Sequence, residues 1–142
     1  MIAKQLSVFI ENRQGRLEEV LDVLKKNGVN ILSLSLADTK EYGLLRLIVS
    51  NPECGKEKLS AEGFSSMISD VLVIRISHKS GSLQELLGML SDGGINVEYM
   101  YALSTEGATA YVVLKASDMQ KADEIFGKHG VITLSTEEIS EN

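Results

Sequence analysis

The pattern of apolar and polar positions predicts the same order of elements twice along the chain. Leu6, Val8 and Ile10 lie two residues apart, as on a β-strand with one buried face. After a short polar loop, apolar residues recur at the spacing i, i+3, i+4 and i+7, which forms one face of a helix: Leu17, Val20, Leu21 and Leu24. The second half repeats the strand at 72–76 and the helix face at the following positions: Leu83, Leu86, Leu87 and Leu90.

Each predicted helix ends near a glycine and is followed by two strands. Gly28 and Gly94 follow the helices, and glycine tolerates the left-handed conformation that commonly ends a helix. Further strands are predicted over these ranges: 29–38, 44–49 and 65–69 in the first half, and 95–104, 110–114 and 131–136 in the second.

A second helix is predicted between the last two strands of each half. In the first half Pro52 is interpreted as a break after the third strand, with a short helix at 56–59. In the second half Asp118 is a candidate N-cap residue for a helix at 119–126.

The fold class that follows is α+β, with two tandem ferredoxin-like domains. The order β-α-β-β-α-β in each half gives a four-stranded antiparallel sheet with two helices on one face. Right-handed crossovers place the first and third strands in the centre of each sheet. We assign 1–69 to the first domain and 70–142 to the second. Because domains of this size bury a modest fraction of their surface, we expect the halves to depend on each other or on a second chain.

The two halves share a register. Gly15 corresponds to Gly81, so the offset is 81 − 15 = 66 residues, and we expect it to hold without a gap into the third strand. Similar halves can pack across a pseudo-two-fold axis and create a cleft that neither half has alone. We therefore expect the functional site at the joint between them.

Composition and charge exclude several classes of protein. The net charge of −6 argues against a nucleic-acid binder, which needs clustered Lys and Arg. No apolar run is long enough to span a membrane, and the N-terminus shows no signal-peptide pattern. Cys54 is the only cysteine, which excludes an intrachain disulfide and is compatible with a reducing compartment. These features predict a cytoplasmic protein that binds neither nucleic acid nor membrane.

The sequence contains no recognisable catalytic or metal-binding motif. It has neither a phosphate-binding loop nor a dinucleotide-binding glycine fingerprint. His78 has no acidic or thiol neighbour at metal-ligand spacing, and the end of a helix suffices to explain His129. We expect no catalytic residues, no metal and no cofactor.

The candidate binding chemistry lies in the first loop and at the start of the second strand. Free N–H groups at a helix start bind carboxylates, and Gly15 lets the backbone approach a ligand. Asn12 and Asn30 carry donors and acceptors that can hold an ammonium and a carboxylate together. An alternative is that Asn30 and Asn96 only satisfy turn backbone.

The order of these motifs resembles ACT domains, which are small amino-acid-sensing regulatory domains. The resemblance is carried by the strand 6–10, by the turn Asn-Arg-Gln-Gly-Arg-Leu at 12–17, and by Gly-Val-Asn-Ile at 28–31. The second half matches with Gly-Ser-Leu at 81–83 and Gly-Ile-Asn-Val at 94–97. The resemblance covers essentially the whole chain as two ACT domains in tandem.

The resemblance implies a site, a ligand and a partner. Paired ACT domains join side by side and bind a free amino acid at the joint. The ligand-binding positions it implies here, together with the loop chemistry, are Asn12, Gly15, Arg16, Leu17, Asn30, His78, Gly81 and Asn96. His78 replaces the loop asparagine in the second copy, and Ile10 stands where serine-sensing members carry a histidine.

The expected function is that of a non-catalytic amino-acid sensor. The resemblance implies a homodimer that modulates a separate enzyme of amino-acid metabolism, since no catalytic domain is present. Two alternatives stay open, a ligand-independent adaptor module that pairs sheet edges and an enzyme whose site is not visible in the sequence.

Overall fold

The computed structural model describes residues 1–38 and 41–140. The first half contains β1 (Ala3–Glu11), α1 (Arg16–Lys26), β2 (Ile31–Asp38), β3 (Tyr42–Val49) and α2 (Pro52–Ala61). There follow β4 (Ser65–Ser77), α3 (Ser82–Asp92), β5 (Val97–Glu106), β6 (Thr109–Ala116), α4 (Met119–Lys128), β7 (Ile132–Leu134) and α5 (Thr136–Ser140).

The chain divides into two compact units, each with the predicted ferredoxin-like plan. One unit is Lys4–Ser69, with strand order β2-β3-β1-β4. The other is Asp70–Asn142 together with Met1–Ala3, with strand order β7-β4-β6-β5. The predicted fold class is confirmed, with the first and third strands of each copy in the centre. The assignment of 1–69 and 70–142 as domains stays a prediction, because compactness alone does not establish independent folding.

The register of the repeat changes within the second strand of the second copy. Leu6 pairs with Leu47 and Leu72 pairs with Leu114, so the first strands differ by 72 − 6 = 66 residues and the third strands by 114 − 47 = 67. The expectation of an ungapped register into the third strand is therefore wrong. The pairing of β5 with β6 shifts between Ala102 and Ser104, where a bulge accommodates the extra residue.

The second helix of the first unit begins earlier than predicted. Pro52 is the first residue of α2, and the side chain of Asn51 caps the helix by accepting a hydrogen bond from the Cys54 N–H at 3.1 Å. Proline is favoured at the first helical position because its missing N–H would be unpaired there in any case. The helix predicted at 56–59 is confirmed but begins four residues earlier, and Pro52 is its first residue rather than a break before it. Asp118 caps α4 as predicted.

A short helix near the end of the chain was not predicted from the apolar pattern. The strand predicted over 131–136 is limited to Ile132–Leu134, and α5 follows it directly. The Ser135 N–H donates to Glu138 Oε1 and the Glu138 N–H donates to Ser135 Oγ, each at 3.2 Å. This reciprocal pair is a capping box, which marks a helix start. The Ser-Thr-Glu-Glu sequence was the available signal.

Gly88 offers a test of the helical assignment in the second unit. It lies inside α3, and a Cβ added there would meet no atom within 4 Å. Gly88→Ala is expected to raise the free energy of unfolding by about 0.8–1 kcal/mol, because alanine loses less backbone entropy in a helix. Urea denaturation followed by circular dichroism measures the change. The matched Gly81→Ala, at a backbone φ of 86°, is expected to lower it by roughly 1–2 kcal/mol.

Candidate functional site

The two loops that precede α1 and α3 have the same backbone geometry. Gly15 has φ 86° and ψ −12°, and Gly81 has φ 86° and ψ −13°. This is the left-handed region, where residues with a Cβ are strained. Neither helix start has a side-chain cap. The N–H groups of both first turns therefore face the loops without a capping side chain, as an anion site requires.

The side chains of Arg16 and Leu17 are largely engaged within the first unit. The guanidinium of Arg16 lies over the Phe64 ring, 4.3 Å from its centre, and Nη1 donates to Glu19 Oε2 at 2.7 Å. The Leu17 side chain packs against the core of the first unit. The Arg16 N–H reaches the Arg13 carbonyl at 3.4 Å, beyond the usual limit of about 3.2 Å. This weak bond leaves the N–H available to a stronger acceptor.

The corner that presents Asn30 is built by backbone hydrogen bonds. The N–H of Val29 donates to the Leu24 carbonyl at 2.9 Å, and the N–H of Gly28 donates to the Lys25 carbonyl at 3.2 Å. These two bonds form a Schellman motif, with Gly28 in the left-handed conformation and Val29 buried beside Leu24. The turn is thus satisfied without help from the Asn30 side chain.

The backbone of Asn30 is held by a single residue. Its N–H donates to Ser50 Oγ at 2.9 Å, and its carbonyl accepts from the Ser50 N–H at 2.9 Å. Asn96 makes the same two bonds to Ser117, at 3.0 and 2.8 Å. Among residues 1–38 and 41–140 no group hydrogen-bonds to either amide side chain. Both amides are exposed and available to a ligand.

The loop and the corner of one copy lie at opposite ends of the unit. The Asn12 N–H donates to the carbonyl of Glu41, just before β3, whereas Asn30 pairs with Ser50, just after it. The eight residues of β3 span about 26 Å. Asn12 and Asn30 of one copy therefore cannot contact the same amino acid, whose ammonium and carboxylate share one carbon atom.

The second copy repeats this separation. The His78 N–H donates to the carbonyl of Ala108, just before β6, at 2.6 Å. Asn96 pairs with Ser117, just after β6. The structure thus presents four half-sites: two loops, at 12–17 and 78–83, and two corners, at Asn30 and Asn96.

The Asn30 corner opens into a groove of about 390 Å³. The groove is bordered by the last turns of α1 and the start of β2, through Leu21, Lys25, Gly28, Val29, Asn30 and Ile31. Small-molecule sites typically begin at about 300 Å³ and combine apolar walls with a few polar groups. The Asn30 corner thus borders an open surface groove that has both apolar and polar walls.

Comparison with known proteins gives the family. A model of the ACT domain pair matches residues 1–141. The chain is an ACT domain pair. The crystal structure of protein BT0572 from Bacteroides thetaiotaomicron is similar at 37% identity and a TM-score of 0.95, covering 100% of this chain and 98% of that one.

More distant structures share the fold of this ACT pair. The regulatory subunit of aspartate kinase from Thermus thermophilus aligns with a TM-score of 0.60 at 16% identity, over 90% of this chain and 96% of that one. The corresponding subunit from Thermus flavus gives 0.61 at 14%, over 89% and 95%. No curated protein sequence matches significantly. The resemblance to ACT domains inferred from the loop and corner motifs is confirmed.

The described part of the ACT pair shows no candidate metal site and no membrane-spanning helix. No group of three or more His, Cys, Asp or Glu side chains within residues 1–38 and 41–140 is placed to hold a metal ion. None of the helices in these ranges has the length and apolar character needed to cross a bilayer. Tyr99 and Tyr101 stack with ring centres 6.5 Å apart on β5, while Met100 packs into the core of its unit.

Proposed function

We propose that this ACT pair binds a free amino acid without catalysis and reports its concentration to a separate protein of amino-acid metabolism. The observation that carries the proposal is the twofold occurrence of an exposed, uncommitted asparagine amide on a rigid backbone corner. An exposed amide that its own turn does not need is available for recognition. The interpretation of Asn30 as turn support loses its basis, since Gly28 and Ser50 perform that role.

The half-sites match the two charged groups that all free amino acids share. The α-carboxylate is bound by first-turn N–H groups beside Gly15 or Gly81, where the helix dipole favours negative charge. The ammonium donates to the amide oxygen of Asn30 or Asn96. Asn12 and His78 lie at the mouths of the two loops and contact the carboxylate end of the ligand.

A complete site requires a loop and a corner from two different ACT copies. Within one copy these half-sites lie at opposite ends of α1, which has 11 residues and a length of about 16 Å. Each copy therefore contributes to two sites, a loop to one and a corner to the other. A homodimer of ACT pairs contains four copies, and we propose this assembly for the protein.

The size of a similar protein supports action on a separate partner. The regulatory subunit from Thermus thermophilus, which this chain covers to 96% of its length, is named as part of aspartate kinase. An ACT pair of this length is thus found as a separate regulatory chain. In the present protein, ligand binding across two copies favours one arrangement of the copies, and the partner binds that arrangement with different affinity.

A thermal-shift screen of the twenty amino acids tests the proposal. A ligand present at 100 times its Kd is expected to add about 2.7 kcal/mol to the free energy of unfolding. The stabilisation should be lost in Asn12→Ala or His78→Ala for the loops, and in Asn30→Ala or Asn96→Ala for the corners.

The adaptor alternative is favoured by one observation and predicts a different result. Leu34 and Leu36, on the edge strand β2, are 45% and 47% exposed, and an apolar edge strand can pair with another chain. A ligand-independent adaptor would form the same oligomers with and without amino acids. No stabilisation by any amino acid at millimolar concentration, with unchanged oligomers in sedimentation velocity, would favour the adaptor and contradict the sensor.

A further inference from the structure

We infer that Lys25 makes the groove at the first corner selective for an amino acid with an acidic side chain. The inference rests on the proposed function and adds the ligand class to it. Two features of the molecule support it: the residues that line the groove, and the presence of this lysine in only one of the two copies.

Among the described residues that line the groove, Lys25 is the only one with a titratable side chain, and it shares the groove with the Asn30 amide. No carboxylate within residues 1–38 and 41–140 forms an ion pair with Lys25. A lysine ammonium has three donors and no acceptor. The groove therefore presents, beside an amide, a positive charge that has no carboxylate partner among the described residues.

The neighbouring Lys26 does not line the groove, and it has a carboxylate partner. It pairs with Asp22 Oδ2 at 2.9 Å, and the hydrogen bond and charge of Asp22 raise the pKa of Lys26 above its ordinary value. A cation in the last turn of a helix interacts favourably with the helix dipole, and Lys26 already provides one. Stabilisation of α1 thus does not require Lys25 as well.

Positions that recur in both copies can bind the groups that all amino acids share, whereas a position found in one copy only can distinguish between ligand side chains. Gly15 and Asn30 recur as Gly81 and Asn96, and these positions meet the groups common to all amino acids. Lys25 does not recur: at the offset of 66 residues its position is Ser91, in the last turns of α3. A residue that only one copy has is suited to the variable part of the ligand. The side-chain carboxylate of an acidic amino acid pairs with the Lys25 ammonium, and the second corner lacks this contact.

Isothermal titration calorimetry on the full chain tests this assignment with two matched ligand pairs. L-aspartate is compared with L-asparagine, and L-glutamate with L-glutamine, because each amide has nearly the shape of its acid without the charge. The variants are Lys25→Ser, which copies the second corner, and Lys26→Ser, which removes a neighbouring charge outside the groove. Ser91→Lys is the reciprocal change.

The wild type is expected to bind one acidic amino acid roughly 2- to 5-fold more tightly than its amide, because Lys25 is exposed and ion pairs in contact with solvent are weak. Lys25→Ser should remove this preference and leave affinity for the amide within about twofold. Lys26→Ser should preserve it, and Ser91→Lys should add sites for the acidic ligand.

Three results would overturn the inference. If Lys25→Ser weakened the binding of acids and amides equally, Lys25 would instead contact the α-carboxylate, which both kinds of ligand have. Preference for a neutral amino acid that depends on Asn30 but not on Lys25 would refute the inference and leave the proposed function intact. Absence of binding by all four ligands, and by the remaining amino acids, would refute both.

Discussion

Phe126→Ala is expected to lower the free energy of unfolding by about 3–5 kcal/mol. Phe126 is fully buried on α4 and is among the largest such side chains of the chain. Its removal leaves a cavity among Leu72, Leu90 and Leu114, which belong to the same core cluster. Dense packing of protein interiors prevents the neighbours from filling the space completely. Urea denaturation followed by circular dichroism gives the change.

Phe9→Ala is the matched control for this substitution. Phe9 is 47% exposed, so the same change of residue type should cost less than about 1 kcal/mol. An equal loss in both variants would show that Phe126 is not a core residue.

The same experiment tests the expectation that the two halves depend on each other. Units of about 70 residues are marginal alone, and β4 runs from Ser65 to Ser77 across the unit boundary at Asp70. We expect one unfolding transition, shifted as a whole by Phe126→Ala. Two separate transitions, with only one of them shifted, would show that the halves fold independently.

The order of elements was predictable because strong periodicity determined it. Leu17, Leu21 and Leu24 identify α1 from their spacing, and Gly28 marks its end correctly. The errors arose where capping and turn chemistry outweigh periodicity, at Pro52 and at the capping box of α5. The one-residue change of register was not visible, since a bulge in β5 alters strand pairing without altering the apolar pattern.

The residues of the candidate site stay a prediction, and their arrangement was not predictable from the sequence pattern. Asn12 and Asn30 are only 18 positions apart in sequence, which suggested a single cluster, yet α1 lies between them. The length of a helix with 11 residues could have shown that they are separated. Lys25 became a candidate ligand-binding residue only through its position in the groove, because a lysine near the C-terminal end of a helix is common. The sequence signal that could have identified Lys25 was the serine, Ser91, at the equivalent position of the second copy.

Replacing both corner asparagines is expected to remove most of the stabilisation by an amino acid while leaving the free protein unchanged. Each amide is proposed to accept a hydrogen bond from a charged ammonium, which contributes about 1.5–3 kcal/mol. At a ligand concentration of 100 times the wild-type Kd, stabilisation should fall from about 2.7 kcal/mol to between about 0.3 and 1.3 kcal/mol in Asn30→Ala/Asn96→Ala. The double variant makes the result independent of which corner is occupied.

The unliganded protein tolerates this change for a structural reason. The corners are held by backbone bonds to Ser50 and Ser117, which alanine preserves, and neither asparagine has a positive φ. The free energy of unfolding without ligand should therefore stay within about 0.5 kcal/mol of the wild type. Asn27→Ala is the control, because it removes a nearby exposed amide that is already bonded to the Val23 carbonyl at 2.8 Å. If Asn27→Ala weakened the ligand response as much as the double variant, the assignment of the corners to the ammonium would be wrong.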